Sequence, residues 1–162
     1  DNAILDKLLL EVDLVIDASA SYGVTSLLDA QCRQANVPLI SVFATPTLKG
    51  GAVVLHYGDG GCPTCLEHAW CGGTILPPPG RNDSEHDLIQ PPGCAERTFS
   101  GASYDLQELS LQTVRLAVET LSKEEADPSL VQTLSFVDEK GAPCPPSWRI
   151  DILPKHPDCS CG

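Results

Sequence analysis

The chain of 162 residues contains no methionine, opens on Asp1, and carries only 10 basic residues against 22 acidic ones. The missing initiator residue is read as the mark of a piece cut from a longer polypeptide. A formal net charge of −12 sets a field that repels phosphate backbones, so no nucleic-acid partner is expected and a basic protein suits the surface better. No apolar run approaches the ~20 residues needed to cross a bilayer, and the opening residues do not resemble a signal peptide. No membrane partner is therefore expected. Neither a G-x-G-x-x-G pattern nor a Walker-type loop occurs. Without one, no backbone nest is supplied for the phosphates of a nucleotide, and an unrelated Rossmann-type oxidoreductase is disfavoured. Internal repeats are also lacking.

What is present points to a globular α/β domain. Hydrophobic residues make up 42% of the chain and charged residues 20%, enough to bury a core and too apolar for disorder. The run from Val12 to Ala18 is short and nearly continuous in apolar residues, as in a strand covered on both faces. From Val24 to Ala35 the period changes to helical. Val24, Leu27, Leu28 and Ala35 share one face, with Asp29 and Arg33 opposite, and Asn36 and Pro38 mark the stop. Strand-like runs follow at Leu39 to Ala44 and Ala52 to Tyr57. Strand, helix, strand in this order predicts a right-handed crossover and a mainly parallel, Rossmann-like sheet. Residues 58–102 hold most of the glycine and proline and show no period, as in either a functional loop or a disordered segment. A helix is predicted from Ser103 to Ser122, with Leu106, Leu109, Val114, Leu116, Ala117 and Leu121 on its apolar face. Strands at Val131 to Val137 and Trp148 to Leu153 close the chain. The whole reads as one domain fragment in three stretches: strands and helix at 1–58, knuckle and crossover loop at 59–102, and long helix, final strands and tail at 103–162.

Eight cysteines admit a secreted disulfide scaffold or a reduced protein with metal-binding and reactive thiols. Secreted scaffolds are usually short and spread their cysteines evenly. Here Cys32 lies in an ordinary helix and four others form two tight clusters, so the chain reads as reduced and cytoplasmic. Cys62-Pro63-Thr64-Cys65 is a C-x-x-C turn directly after a strand, and Cys159-Ser160-Cys161 sits in the tail. Two thiolate pairs make the tetrahedral set that structural zinc prefers. The C-x-C spacing is tighter than usual, which leaves His156 or His68 as a replacement for one thiolate. Thiol redox chemistry would call for a helix starting at Cys62, whereas that residue follows the turn Gly60-Gly61.

Taken in order, these segments resemble the ThiF/MoeB/HesA superfamily of ubiquitin-activating-type adenylating enzymes. Asp13 to Ser19 is similar to the strand that ends in the adenylation site. Pro38 to Ser41 and Lys49 to Val53 are similar to the strands after it, Gly61 to Leu66 to the zinc knuckle, and His156 to Gly162 to its closing half. The stretch from Gly93 through Leu121 is similar to the crossover segment and long helix. The resemblance covers the C-terminal half of such an enzyme. It implies a parent that uses Mg-ATP to adenylate the C-terminus of a ubiquitin-like or other protein, with a conjugating-enzyme-like partner or fused domain, and that is a homodimer. It also marks Asp17 as a candidate nucleotide-site carboxylate. The position three residues on, commonly a second Asp that holds magnesium, is Ala20. Asp17 therefore has an alternative role, capping the Ser19-Ala20-Ser21 turn.

Several members of the superfamily pass the activated C-terminus to a cysteine as a thioester, which requires an accessible thiolate that can approach the acyl-adenylate. Cys94 fits, shortly before a helix start and close in sequence to Arg97, both of which favour the thiolate. The motif Gly93 to Leu106 is similar to bacterial members of antiphage conjugation operons. Cys71 is the rival nucleophile or a spare metal ligand. Cys144 reads as a loop thiol, His56 and His86 as ordinary strand or loop residues, and Trp70 and Trp148 as packing anchors. The alternative to an enzyme fragment is an inactive ThiF-like scaffold that docks a partner or dimerises.

Overall fold

In a computed structural model the described residues are 3–83, 101–123, 128–159 and 161. They form, in order, α1 (Ala3–Leu9), β1 (Val15–Asp17), α2 (Tyr22–Ala35), β2 (Leu39–Ala44), β3 (Gly50–His56), α3 (Pro63–Cys71), α4 (Ser103–Ser122), β4 (Leu130–Val137) and β5 (Pro143–Ile152). The strands make one sheet in sequence order, β1-β2-β3-β4-β5. The class is α/β, and the sheet is mixed.

The mainly parallel sheet expected from the sequence does not form. Only β1 and β2 are parallel, joined through α2, with Val15 opposite Leu39 and Asp17 opposite Ser41. The pairs β2–β3, β3–β4 and β4–β5 are antiparallel. For β2–β3 and β4–β5 the reason is the length of the connections. Parallel neighbours need a crossover of about a dozen residues or more, whereas only residues 45–49 join β2 to β3 and 138–142 join β4 to β5. The first turn is tied by Thr45, whose amide donates to the Gly50 carbonyl at 2.9 Å while its Oγ1 accepts from the Gly50 amide at 3.2 Å.

Helices cover both faces of the sheet. On one face Leu109, Leu116 and Ala117 of α4 pack on Ile40, Val53, Leu55 and Leu134. On the other, Cys65, Leu66, Ala69 and Trp70 of α3 pack on Ala52, Val54 and Val131. The central strand β3 is buried along its whole length, which is why its sequence carries no polar alternation. Cys32 of α2 joins Leu9, Val37 and Leu39 in a third, smaller cluster.

Four local expectations change. The helical wheel of α2 is turned around: Asp29 is buried, while Val24 and Leu27 are 41% and 50% exposed. Asp29 and Arg33 turn inward because the interior offers them partners, as described below. In α4 the buried face is Leu109, Thr113, Leu116 and Ala117, with Val114 and Leu121 exposed. The segment after residue 58 is not wholly irregular, since α3 begins directly after Cys62, its N-cap residue, with Pro63 in the first turn. The helix start at Cys62, whose expected absence argues against thiol redox chemistry, is therefore present. Pro fits there because a first-turn N–H has no intrahelical acceptor. The last strand also starts earlier than its apolar run. Its prolines lie at the sheet edge beside a register shift opposite Ser135 and Val137, where proline is tolerated. Cys144 is thus a strand residue.

Among the described residues no helix is long and apolar enough to cross a membrane.

Candidate metal centre

The four cysteines singled out by spacing come together. Cys62 and Cys65 sit one turn apart at the start of α3, whose first turn closes with the Leu66 amide donating to the Cys62 carbonyl at 3.1 Å. The chain reaches that helix through Gly60 and Gly61. The Gly61 amide donates to the Leu153 carbonyl at 2.8 Å, tying the loop to the residue after β5. A side chain at Gly61 would stand 2.6 Å from both Leu153 Cγ and the Pro154 carbonyl oxygen, and 3.1 Å from Cys65 Cβ. Glycine is needed there for the tail to lie against the knuckle. The tail then turns back, its His156 amide donating to Cys65 Sγ at 3.2 Å and its Cys159 amide to the His156 carbonyl at 3.0 Å.

The sulfur geometry decides what the cluster suits. Cys62 Sγ lies 3.7 Å from Cys65 Sγ and 3.5 Å from Cys159 Sγ, and Cys65 Sγ lies 3.5 Å from Cys161 Sγ. All four sulfurs fall within 4.8 Å of one another. A disulfide needs about 2.05 Å, so these are not bonded pairs. Four thiolates at ~2.3 Å from a central zinc stand ~3.8 Å apart at the corners of a tetrahedron. The set fits a metal ion and is compatible with zinc. Cys62 and Cys65 are buried and the two tail cysteines partly so. A closed set of this kind matches structural rather than catalytic zinc, which keeps an open position.

The electrostatics of the thiols agree with that use. Burial raises the Cys65 thiol, but the amide of His156, followed by Cys62 and the neighbouring sulfurs, outweighs it and holds the pKa down to about 7. Burial, and then the surrounding sulfurs, push the Cys161 thiol upward. Four thiolates this close cannot all ionise without a cation among them. Neither imidazole replaces a thiolate. The rings of His68 and His156 stack on each other, 4.3 Å apart at 14°, and the ligand set found among the described residues is sulfur only.

Asp17 lies at the end of β1, and both of its oxygens are occupied. Oδ1 accepts from the Ser19 amide at 2.9 Å and Oδ2 from Thr25 Oγ1 at 2.6 Å. Ala20, in the same turn, takes a left-handed φ of 53°. This is the turn-capping arrangement. Beside it opens a cleft of about 180 Å³ lined by Ala20, Tyr22, Ser41, Phe43, His56 and Trp70, among others. At its floor His56 is fully buried, with Nε2 3.2 Å from Ser41 Oγ. Burial pushes its pKa down to about 4, so the ring is neutral near pH 7. Trp70 is a packing residue under Arg81, whose guanidinium lies 4.5 Å from the ring centroid. Trp148 donates from Nε1 to Glu108 at 3.1 Å.

Of the remaining sequence candidates, Cys71 and Cys32 join neither place. Cys71 is exposed at the end of α3 and Cys32 is buried in the core. Cys94, Arg97 and His86 lie outside the described residues. Sequence reasoning missed His56–Ser41 and the inward face of α2. The first pair comes from cross-strand register, which a single strand does not reveal. The second had a signal in the i, i+4 spacing of Asp29 and Arg33.

No family model matches the chain. Two curated relatives do, both described as uncharacterized proteins of Sinorhizobium fredii (strain NBRC 101917 / NGR234). Protein y4qC is 54% identical over 163 residues, covering 97% of this chain and 28% of the relative. Protein y4oA is 35% identical over 161 residues, covering 98% of this chain and 26% of the relative. The chain thus spans about a quarter of the length of the relatives it matches.

Proposed function

We propose that the chain is the zinc-bearing C-terminal half of a ThiF/MoeB-like activating domain, cytoplasmic, in a longer enzyme that adenylates a protein C-terminus. The observation that carries this reading is the metal set itself. A C-x-x-C at a helix start in the middle of the chain and a C-x-C in the tail, 97 residues on from Cys62 to Cys159, close on one another. The β1–α2–β2 unit supports it as the terminal, Rossmann-like part of a nucleotide-binding sheet, with Asp17 at the strand end. Zinc, in this reading, fixes the tail to α3. Mg-ATP would bind to the parent enzyme through residues outside this chain. A ubiquitin-like protein is the substrate, and Cys94 is the residue that takes the acyl group, assigned on its sequence context alone.

The test uses the full-length protein with a ubiquitin-like modifier and Mg-ATP. Pyrophosphate exchange and an adduct released by thiol are expected. No exchange rejects adenylation; exchange with an adduct that persists in Cys94→Ala rejects only the nucleophile.

One observation favours a second reading, an inactive scaffold that docks a partner. Ala20 offers no carboxylate, and Asp17 spends both oxygens on its own turn. Under that reading the protein lacks exchange activity and still holds zinc.

A further inference from the structure

The inward face of α2 carries a polar constellation with no part in the activity proposed above. Arg33 and Asp29 pair one turn apart, Nε standing 3.0 and 2.9 Å from the two carboxylate oxygens. Both side chains are largely buried, at 16% and 6% exposed. A pair this far from water is costly unless every donor is used. The guanidinium nearly meets that condition, with four of its five N–H groups engaged: beyond Asp29 it donates to the carbonyls of Gly58, Gly60 and Gly61. These three carbonyls belong to the loop that delivers Cys62 to the sulfur cluster. The planar fork of Arg suits this, since one rigid group fixes several acceptors at once.

Arg33 also faces the sulfurs. With Cys62, Cys161, Ser26 and Thr64 it lines a common cleft of about 410 Å³ between α2 and the knuckle. A divalent metal held by four thiolates leaves the site with two surplus negative charges. A buried cation beside it offsets that charge and lowers the cost of keeping all four sulfurs ionised.

We infer that Arg33 is an outer-shell positioning residue of the metal site: its fork sets the Gly58–Gly61 loop that presents Cys62, and its guanidinium, shared with Asp29, offsets part of the thiolate charge. Asp29 holds the fork in its orientation. The inference rests on the metal reading of the four cysteines, and its test separates the two.

The full chain is loaded with zinc, and separately with cobalt, as wild type, Arg33→Met and Arg33→Lys. Zinc affinity is measured by competition with a chromophoric chelator. Outer-shell changes typically weaken metal binding about 10- to 100-fold, and Arg33→Met is expected in that range. Arg33→Lys keeps the charge but loses the fork, so it recovers part of the affinity. Cobalt reports the charge directly. Losing the cation makes the thiolates better electron donors, so the sulfur-to-cobalt charge-transfer band moves to lower energy in Arg33→Met and stays near wild type in Arg33→Lys. A structural defect alone does not produce that pattern. If Arg33→Met fails to fold, Arg33→Lys against wild type still decides, since unchanged affinity there overturns the role of the fork. Folded Arg33→Met with wild-type affinity and an unshifted band overturns the inference while the metal site stands. Wild type that takes up neither metal overturns both.

Discussion

The sulfur cluster and the Asp17 turn both gather ionisable groups beside the sheet, yet they differ in what they leave unsatisfied. Asp17 is answered from within: Ser19 and Thr25 occupy its oxygens, and nearby His56 is kept neutral with Ser41 as its partner. Nothing there calls for an added ion. The four thiols, all within 4.8 Å of one another, have mainly each other, and in a half-buried place they cannot share negative charge without a cation. A self-satisfied polar group stabilises a fold, while a concentrated set of donors with one sign of charge asks for a ligand. This is the physical basis for assigning metal chemistry to one region and turn-making to the other.

The contrast breaks most severely if a thiol is dispensable. Cys65→Ser is expected to abolish stoichiometric zinc binding, and strong chelators should lower the thermal midpoint of wild type but leave the variant unmoved. Metal analysis and calorimetry report both. A variant that retains full zinc would mean that the sulfurs are not a set.

The next effect is smaller and belongs to the other region. His56 has a folded pKa depressed to about 4 from an ordinary 6.5. A depressed value means that the unfolded chain takes the proton first. The contribution is complete above pH 6.5 and is lost as pH falls towards 4, at most about 3 kcal/mol. Acid protonates the thiolates too, so the comparison is with His56→Gln. Chemical denaturation at stepped pH should show a shallower loss in that variant. Equal slopes would show that the buried imidazole is not what titrates.

Asp17→Asn gives the mildest change. The amide keeps one acceptor and loses the charge, costing about 1 kcal/mol, with zinc content as in wild type. Asp17 lies below its usual carboxylate range because, although burial raises it, Thr25 and Ser19 bond to the charged form. Its contribution is therefore present above the ordinary Asp range and disappears as pH falls through the lower folded value. Urea titrations of the two proteins at neutral pH and at pH 3 measure this. A stability unchanged at neutral pH would remove the capping role.

Much of the fold was legible because it rests on local pattern. The strand at Leu39–Ala44 and the helix at Ser103–Ser122 sit where the sequence predicts them. The sulfur set was legible too, since ligand spacing survives without knowledge of the path between the halves. Strand direction was misread, because strand–helix–strand fixes only β1 and β2 and says nothing of neighbours joined by five-residue turns. The face of α2 was misread for a related reason. Apolar periodicity identifies a stripe, but Asp29 and Arg33 were drawn inward by carbonyls at Gly58, Gly60 and Gly61, acceptors a helical wheel does not contain.

The central claim, that four cysteines from the middle and the end of the chain enclose one structural zinc, is tested most directly by weighing the protein. Native mass spectrometry of the reduced full chain, purified without added metal, should show one zinc per chain, and the same sample denatured should release it and expose the four thiols to alkylation. A folded, reduced chain at its bare mass, with Cys62, Cys65, Cys159 and Cys161 alkylated as readily as the exposed Cys71, would contradict the account.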